Sequence, residues 1–476
     1  MLKLLGFFCL AVVCSVPCER LFGQKRPNVL LVSVDDMNFD SLGCHGCSIP
    51  GITPHIDRLA SQGILFSHAH VTIAVCQPTR SVWLTGRYPF NNGALGFQPI
   101  RRNVPTLTEQ LRKAGYLNGI LGKVKHLAPR DKFAWDYMKV QNELGFGRDS
   151  QLYYRFAKQF LARTKVSKKP FFLMVNSHDP HRPFANSKQE KNRKKRKKLK
   201  IPAASKIYKP AEVTVPGFLP DIPPVRREIA QYFSSVHRAD ETVGAVLKAL
   251  KESGMEQNTL VMFLSDHGMA LPFAKTNCYM NSTRTPWIIR WPGKVKPNRI
   301  DKINLISGID LTPTMLDALG LAPLEGVDGK SFLPLMFEKK QSDREEIMTV
   351  FHRTAGRRDY PMRSLVTKQY GYIYNGWSDG KTVFRNESQA GLTFRAMQKA
   401  GKTNPEIAQR VKLFQYRVRE EFFDYSKDPD ARKNLINDPT KQKTIQEFRQ
   451  RLLKRMKRYH DPLAEKFAEE MKLSVR

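Results

Sequence analysis

Four short runs of aliphatic and aromatic residues recur along the chain: NVLLVSV at 28–34, LNGIL at 117–121, PFFLMVN at 170–176 and LVMFLSD at 260–266. Each is apolar at most positions and bounded by polar or turn residues, the pattern of a strand buried on both faces. Between them stand ITPHIDRLASQG, TLTEQLRKAG and REIAQYFSSVHRADETVGAVLKALKESG, where apolar residues return every three or four positions, as on one face of a helix. Strands alternating with helices predict an α/β sandwich in which a large, mostly parallel sheet lies between helices.

Beyond about residue 345 the pattern changes to MTVFHRT, RSLVTKQYGYIYNG and EEFFDYS, followed by a basic helical stretch from about Lys441 to Tyr459. This predicts a smaller C-terminal α+β domain with an antiparallel sheet and a helix across it. At the other end, Lys3 precedes an apolar run from Leu4 to Val16, and polar Glu19 and Arg20 follow. The run is shorter than the ~20 residues of a membrane span and has the layout of a secretory signal peptide. The expected division is a signal peptide over 1–24, a catalytic α/β domain over 25–345 and a subdomain over 346–476. No later stretch is apolar enough to span a membrane, so an exported protein, periplasmic or secreted, is expected. No internal repeat is visible.

Composition narrows the classes. With 476 residues, 41% of them hydrophobic, the chain can bury a large core and is neither disordered nor fibrous. Its formal net charge is +35, of which the run KNRKKRKKLK at 191–200 carries only eight, so the basicity is spread over the chain. Such a balance favours a polyanionic partner, and export favours a sulfated glycan over nucleic acid. The run itself reads equally as a solvated flexible insertion or as a binding segment. Loss of Cys9, Cys14 and Cys18 with the signal leaves Cys44, Cys47, Cys76 and Cys278, which is no disulfide framework. Cys44 and Cys47 form one CxxC spacing, which without a second pair reads as a turn with buried or loosely paired thiols.

In sheets of this kind ligands collect beyond the carboxyl ends of the strands. The first run ends in Asp35 and Asp36, the second leads into Gly122 and Lys123, the third into His178 and His181, and the fourth into Asp266 and His267. Four strand ends thus bring the densest polar clusters of the chain to one edge, which points to an enzyme.

The segment Cys76-Gln77-Pro78-Thr79-Arg80, followed by Leu84-Thr85-Gly86-Arg87, matches a C-x-P-x-R signature with its companion TGR block. On these residues the chain resembles the type I sulfatases of the alkaline phosphatase-like superfamily, over nearly its whole mature length. The resemblance implies that a maturation enzyme oxidises Cys76 to formylglycine, whose hydrate offers one hydroxyl to attack sulfur and a second to drive release. It implies that Arg80, Lys123 and Lys275 surround the sulfate, and that Asp35, Asp36, Asp266 and His267, with residue 76, hold one calcium ion. Lys123 and His126 match a G-K-x-x-H element, in which many relatives have one residue fewer between Lys and His. His267 stands where many relatives carry Asn. His181 is implied as the proton donor to the leaving group, His178 as a pocket residue, and His352 and Arg353 as contributions from the smaller domain.

Further strings resemble the heparan N-sulfatase branch of that family: HDPHR at 178–182, KTNCY at 275–279, YPMRS at 360–364, SKDPDARKNL at 426–435 and HDP at 460–462. Lys275 replaces an arginine of that branch, a point charge for a planar fork. The 183–224 segment also departs from it and, near a cleft entrance, would alter the glycan accepted. The implied partners are a sulfated polysaccharide or oligosaccharide and the maturation enzyme. Three other readings remain open on the residues: a phosphatase or phosphodiesterase of the same superfamily, a basic glycan-binding protein without catalysis, and a hydrolase using an unmodified Cys76 thiol. Sequons at Asn281 and Asn386 leave glycosylation, and with it a lysosomal location, open as well.

Overall fold

A computed structural model describes residues 26–473. The expected signal peptide and its three cysteines lie outside the described residues. Eight strands form the larger sheet: β1 (Asn28–Asp35), β2 (Ile64–His70), β3 (Leu117–Leu121), β4 (Tyr137–Lys139), β5 (Phe171–Pro180), β6 (Thr259–Ser265), β7 (Trp287–Arg290) and β8 (Arg299–Ser307). Their order is β4-β3-β5-β1-β6-β7-β2-β8, and β7 alone among them runs antiparallel to its neighbours. The mostly parallel sheet expected from the four apolar runs is therefore present, and those runs form its adjacent central strands.

β1 shows why these segments settle at the centre. All eight of its residues are buried, with β5 on one edge and β6 on the other, Leu31 facing both Met174 and Met262. Successive side chains alternate between faces. Leu30, Val32 and Val34 join a core that includes Ile229, Val236 and Val243 of helix Pro223–Glu252, whereas Val29 and Leu31 join a second core with Leu84, Leu107 and Leu111. Replacing one such core residue, Ile229 for instance, by alanine costs about 2–5 kcal/mol.

The smaller sheet contains β9 (Glu346–Arg353), β10 (Asp359–Thr367), β11 (Tyr370–Asn375) and β12 (Glu420–Asp424), all antiparallel, in the order β12-β11-β10-β9. Helix Gln442–Arg458 packs on it through Ile445, Phe448, Leu452 and Met456, and these residues continue the first of the two cores. β9 also pairs with the loop before Cys76: Val350 N donates to Thr72 O at 2.8 Å, so the smaller domain braces the segment that carries the signature cysteine.

The CxxC spacing is a turn. Gly43–His45 forms one 3-10 turn, and Cys44 and Cys47 are free, half-buried thiols. No described helix is long and apolar enough to cross a membrane.

Candidate active site

Helix Cys76–Thr85 is buried along its whole length, and Cys76 is its first residue. The positive end of the helix dipole therefore lies where an anion bound at residue 76 would sit. Thr79 Oγ1 donates to Ile73 O and secures this end. Arg80 falls one turn on, and its Nη1 donates back to Cys76 O at 3.2 Å. The companion TGR block serves the fold. Gly86 ends the helix at φ 63°, and Arg87 Nη2 donates to Glu325 O.

Ligand atoms of Asp35, Asp36, Cys76, Asp266 and His267 all lie within 4.8 Å of one another. Asp36 adopts φ 69° just after β1, a left-handed conformation that costs about 1–3 kcal/mol. Its backbone N–H donates to Asp266 Oδ1 at 2.9 Å, which ties the ends of β1 and β6 together. Burial first, and with it the charge of Asp35, push both Asp36 and Asp266 up to about 7. Burial acts on Asp35 too, but Lys123, His181 and Arg80 outweigh it and hold that carboxyl well below the usual range.

His267 Nδ1 lies 3.0 Å from Gly268 O. A carbonyl only accepts, so Nδ1 carries the proton and the Nε2 lone pair faces Cys76 Sγ at 3.3 Å and Asp266 Oδ2 at 3.4 Å. Three buried carboxylates and an oriented imidazole form a donor set that fits a hard divalent cation.

The three expected cations are present and paired. Arg80 donates to Asp266 Oδ2 at 2.6 Å and Asp35 Oδ1 at 3.3 Å. Lys123 pairs with Asp35, and Lys275 Nζ lies 2.8 and 2.9 Å from the two oxygens of Asp36. Lys123 sits at φ 52° directly after Gly122, where a Cβ would lie 2.3 Å from Asn176 O, so only glycine permits this approach. Burial and then Asp35 push the unmodified Cys76 thiol well above its usual range, against the opposing charges of Lys275 and Lys123.

The histidines differ in role. His181 Nδ1 donates to Arg182 O at 2.6 Å, which leaves Nε2 facing Asp36 Oδ2 at 3.9 Å and Glu387 Oε1 at 3.8 Å. Burial, then Lys275, lower it to about 4. His178 is buried against Gly147, and its N–H donates to Gly147 O at 2.9 Å. The additional residue between Lys123 and His126 is absorbed by the 3-10 turn Val124–His126: Lys125 points to solvent, and the His126 ring meets Phe97 edge-on at 5.7 Å.

Cys76 and Lys275 open onto a cavity of ≈ 300 Å³, whose other walls include Phe97, Thr354, Gly356, Arg358, Arg385, Asn386 and Glu387. His352 and Arg353 are not among its lining residues. His352 is buried against Phe90, and Arg353 forks onto Asp359 at 2.6 and 2.8 Å, so the turn after β9 provides the wall in their place. Sequence reasoning also missed Asn176 and Glu387. Asn176 Oδ1 accepts from Ser33 at 2.7 Å and from Arg80 Nε at 3.4 Å, which fixes the arginine between β1 and β5. Glu387 pairs with Lys275 from a short turn of the smaller domain. Asn386 carried a signal as a sequon, but its side chain bonds Thr276 inside the cavity wall; Asn281 is buried, so neither offers a free amide to a glycan.

The sulfatase family model matches residues 27–321, and the chain belongs to the sulfatase family, on the alkaline phosphatase-like fold. A second model, N-sulphoglucosamine sulphohydrolase, C-terminal, matches residues 266–380. Human N-sulphoglucosamine sulphohydrolase is 29% identical over 484 residues, covering 92% of each chain. An ulvan-active sulfatase of Formosa agariphila is 27% identical over 511 residues, covering 94% of this chain and 80% of that protein. A structure solved with its substrate D-glucosamine-2-N,6-O-disulfate superposes with a TM-score of 0.68 at 18% identity, covering 92% of this chain and 99% of that one.

Proposed function

We propose that this protein is exported and removes sulfate groups from a sulfated glycan, with N-sulfated glucosamine as the first substrate to test and a formylglycine made from Cys76 as nucleophile. One observation carries the proposal: Cys76 Sγ lies at the buried helix terminus inside the donor cluster, beside three cations, and opens onto the cavity. Sγ stands in for the formylglycine oxygen. The C-terminal family match and the human relative support N-sulfate; the ulvan-active relative supports trying O-sulfated glycans beside it.

A calcium ion held by Asp35, Asp36, Asp266 and His267 would polarise a sulfate oxygen and the nucleophile. Four carboxylates, at 35, 36, 266 and 387, meet three cations, at 80, 123 and 275. A divalent ion tips this balance to positive, and one sulfate monoester anion restores neutrality. Arg80, Lys123 and Lys275 then bind the sulfate oxygens and stabilise charge as the bond to sulfur breaks. His181 Nε2 carries the proton to the departing oxygen or nitrogen. A sulfate anion bound beside it raises its affinity for protons. Arg358 and Arg385 on the cavity wall suit a carboxylate or second sulfate on the same glycan.

The test is expression with a formylglycine-generating enzyme, followed by peptide mass measurement at residue 76. Parallel assays use N-, 2-O- and 6-O-sulfated oligosaccharides and a phosphate monoester. Loss of the thiol together with sulfate release is the expected result. Activity with an intact thiol, or turnover of the phosphate alone, overturns the proposal.

A further inference from the structure

The basic run is a built element. Lys188–Lys197 forms a helix whose cap, Ser187, accepts from Glu190 N at 3.0 Å. Glu190 is only 3% exposed; one of its carboxylate oxygens accepts from Arg238 Nη1 at 3.0 Å and the other from Asn186 N at 2.9 Å. Arg238 also clamps Asp179, with Nε 2.6 Å from Oδ2, and Asp179 lies in the β5 end that leads to His181. Arg193 covers the Phe146 ring at 4.6 Å, so positions 190 and 193 face inward. The helix is therefore bolted, through Arg238, to the loop that carries the acid-base histidine.

Its opposite side exposes Lys188, Lys191 and Lys195 at helical spacing, with exposed Lys198 at the C-cap. The row is about 15 Å long at helical rise. Among the described residues none of these four makes an ion pair, while Lys194 on the flank reaches Glu190 at 4.0 Å. Like charges one turn apart destabilise a helix. A row of unpaired lysines on a pinned helix is relieved by a polyanion laid along it.

We infer that this lysine row is a docking site for a sulfated polysaccharide chain, separate from the cavity, that holds the polymer while one of its residues enters the pocket. The choice of a sulfated glycan rests on the sulfatase reading. The row is built of lysine point charges and carries no aromatic side chain to stack on a base, with exposed Arg196 beside it, so a sulfated glycan is favoured over nucleic acid by the absence of a stacking surface in the row.

The test replaces Lys188, Lys191, Lys195 and Lys198 together by Gln, with the matching Lys→Arg set as control. Heparin binding is measured on protein with unmodified Cys76, so it does not depend on turnover. The Gln set is expected to weaken heparin binding by at least about tenfold, the low end of electrostatic steering effects, while the Arg set retains it. On matured enzyme, kcat/KM for the sulfated polymer falls by the same factor and that for a sulfated monosaccharide stays unchanged. Unchanged heparin binding, an equal fall on polymer and monosaccharide, or duplex DNA that matches heparin in affinity and in loss overturns the docking site. Weakened heparin binding in a protein that never releases sulfate upholds the site and rejects the sulfatase reading instead.

Discussion

His181 Nε2 lies 3.8 Å from Glu387 Oε1, a contact that joins the proposed proton donor of the larger domain to a carboxylate of the smaller one. Burial pushes Glu387 up, but Lys275 and His181 outweigh it and hold the carboxyl at about 2, so it is charged throughout the working range. Its charge in turn raises His181. Glu387→Gln removes that support. The expected outcome is a basic limb of the kcat profile displaced to lower pH and a fall in kcat of about tenfold, below the 10²–10⁴ of a whole acid-base group. A profile of unchanged shape would show that Glu387 only shapes the wall.

Metal dependence of stability follows from the same carboxylates. Asp36 and Asp266 rise from a usual 3.8 to about 7, so between those values the folded chain keeps protons that the unfolded chain releases. The contribution to stability is full below the usual carboxylate pKa and is lost as pH rises toward 7. Asp35, held low, acts in the opposite sense, its stability being lost only as pH falls through its depressed pKa. Calcium favours the ionised forms, so it should raise Tm more near neutral pH than near pH 5. At a hundredfold excess over Kd the gain is about 2.7 kcal/mol. Melting curves in EDTA and in calcium at the two pH values check this; equal shifts at both would contradict it.

Arg238 is buried among Asp179 and Glu190, with three contacts of 2.6–3.0 Å to their carboxylates. Arg238→Leu leaves both acids short of a partner. A loss of about 3–5 kcal/mol is expected in denaturant titration, the cost of breaking a buried pair. A change under 1 kcal/mol would mean that Arg148, 3.1 Å from Asp179, holds the acid by itself.

Gly147 has φ 75°, and a Cβ there would lie 2.0 Å from His178 Nδ1. Gly147→Ala should cost about 1–3 kcal/mol from backbone strain, and in addition displace His178 and lower kcat/KM. Chemical denaturation and steady-state kinetics read the two effects separately, and normal values for both would reject this role.

The central strands were legible because a strand buried on both faces writes its own pattern: NVLLVSV and LVMFLSD are apolar at most positions and lead into Asp35 and Asp266. β8 was not, since its first half is largely exposed and its residues mix charge with isoleucine. β2 was missed for a related reason, its far end carrying two histidines. Composition left the lysine-rich run open between a flexible insertion and a binding segment, because the buried Glu190 that pins the helix finds its partner at Arg238, far along the chain.

The acids at two strand ends could be placed from the chain alone because their position is local, while Cys76 and Arg80 were named through the resemblance that their signature carries. A helical turn separates Cys76 from Arg80, and a parallel sheet sends its strand ends to one edge. Glu387, Asn386 and the Thr354–Gly356 wall lie in turns without periodicity, and no local rule aims them at a cleft. Their approach to Lys275 and Cys76 depends on how the smaller sheet docks: β9 pairs with the loop before Cys76, and shared apolar burial holds the two sheets together. That docking is a sum over contacts between distant segments, so it set the turn after β9, and not His352 or Arg353, along the cavity beside Cys76.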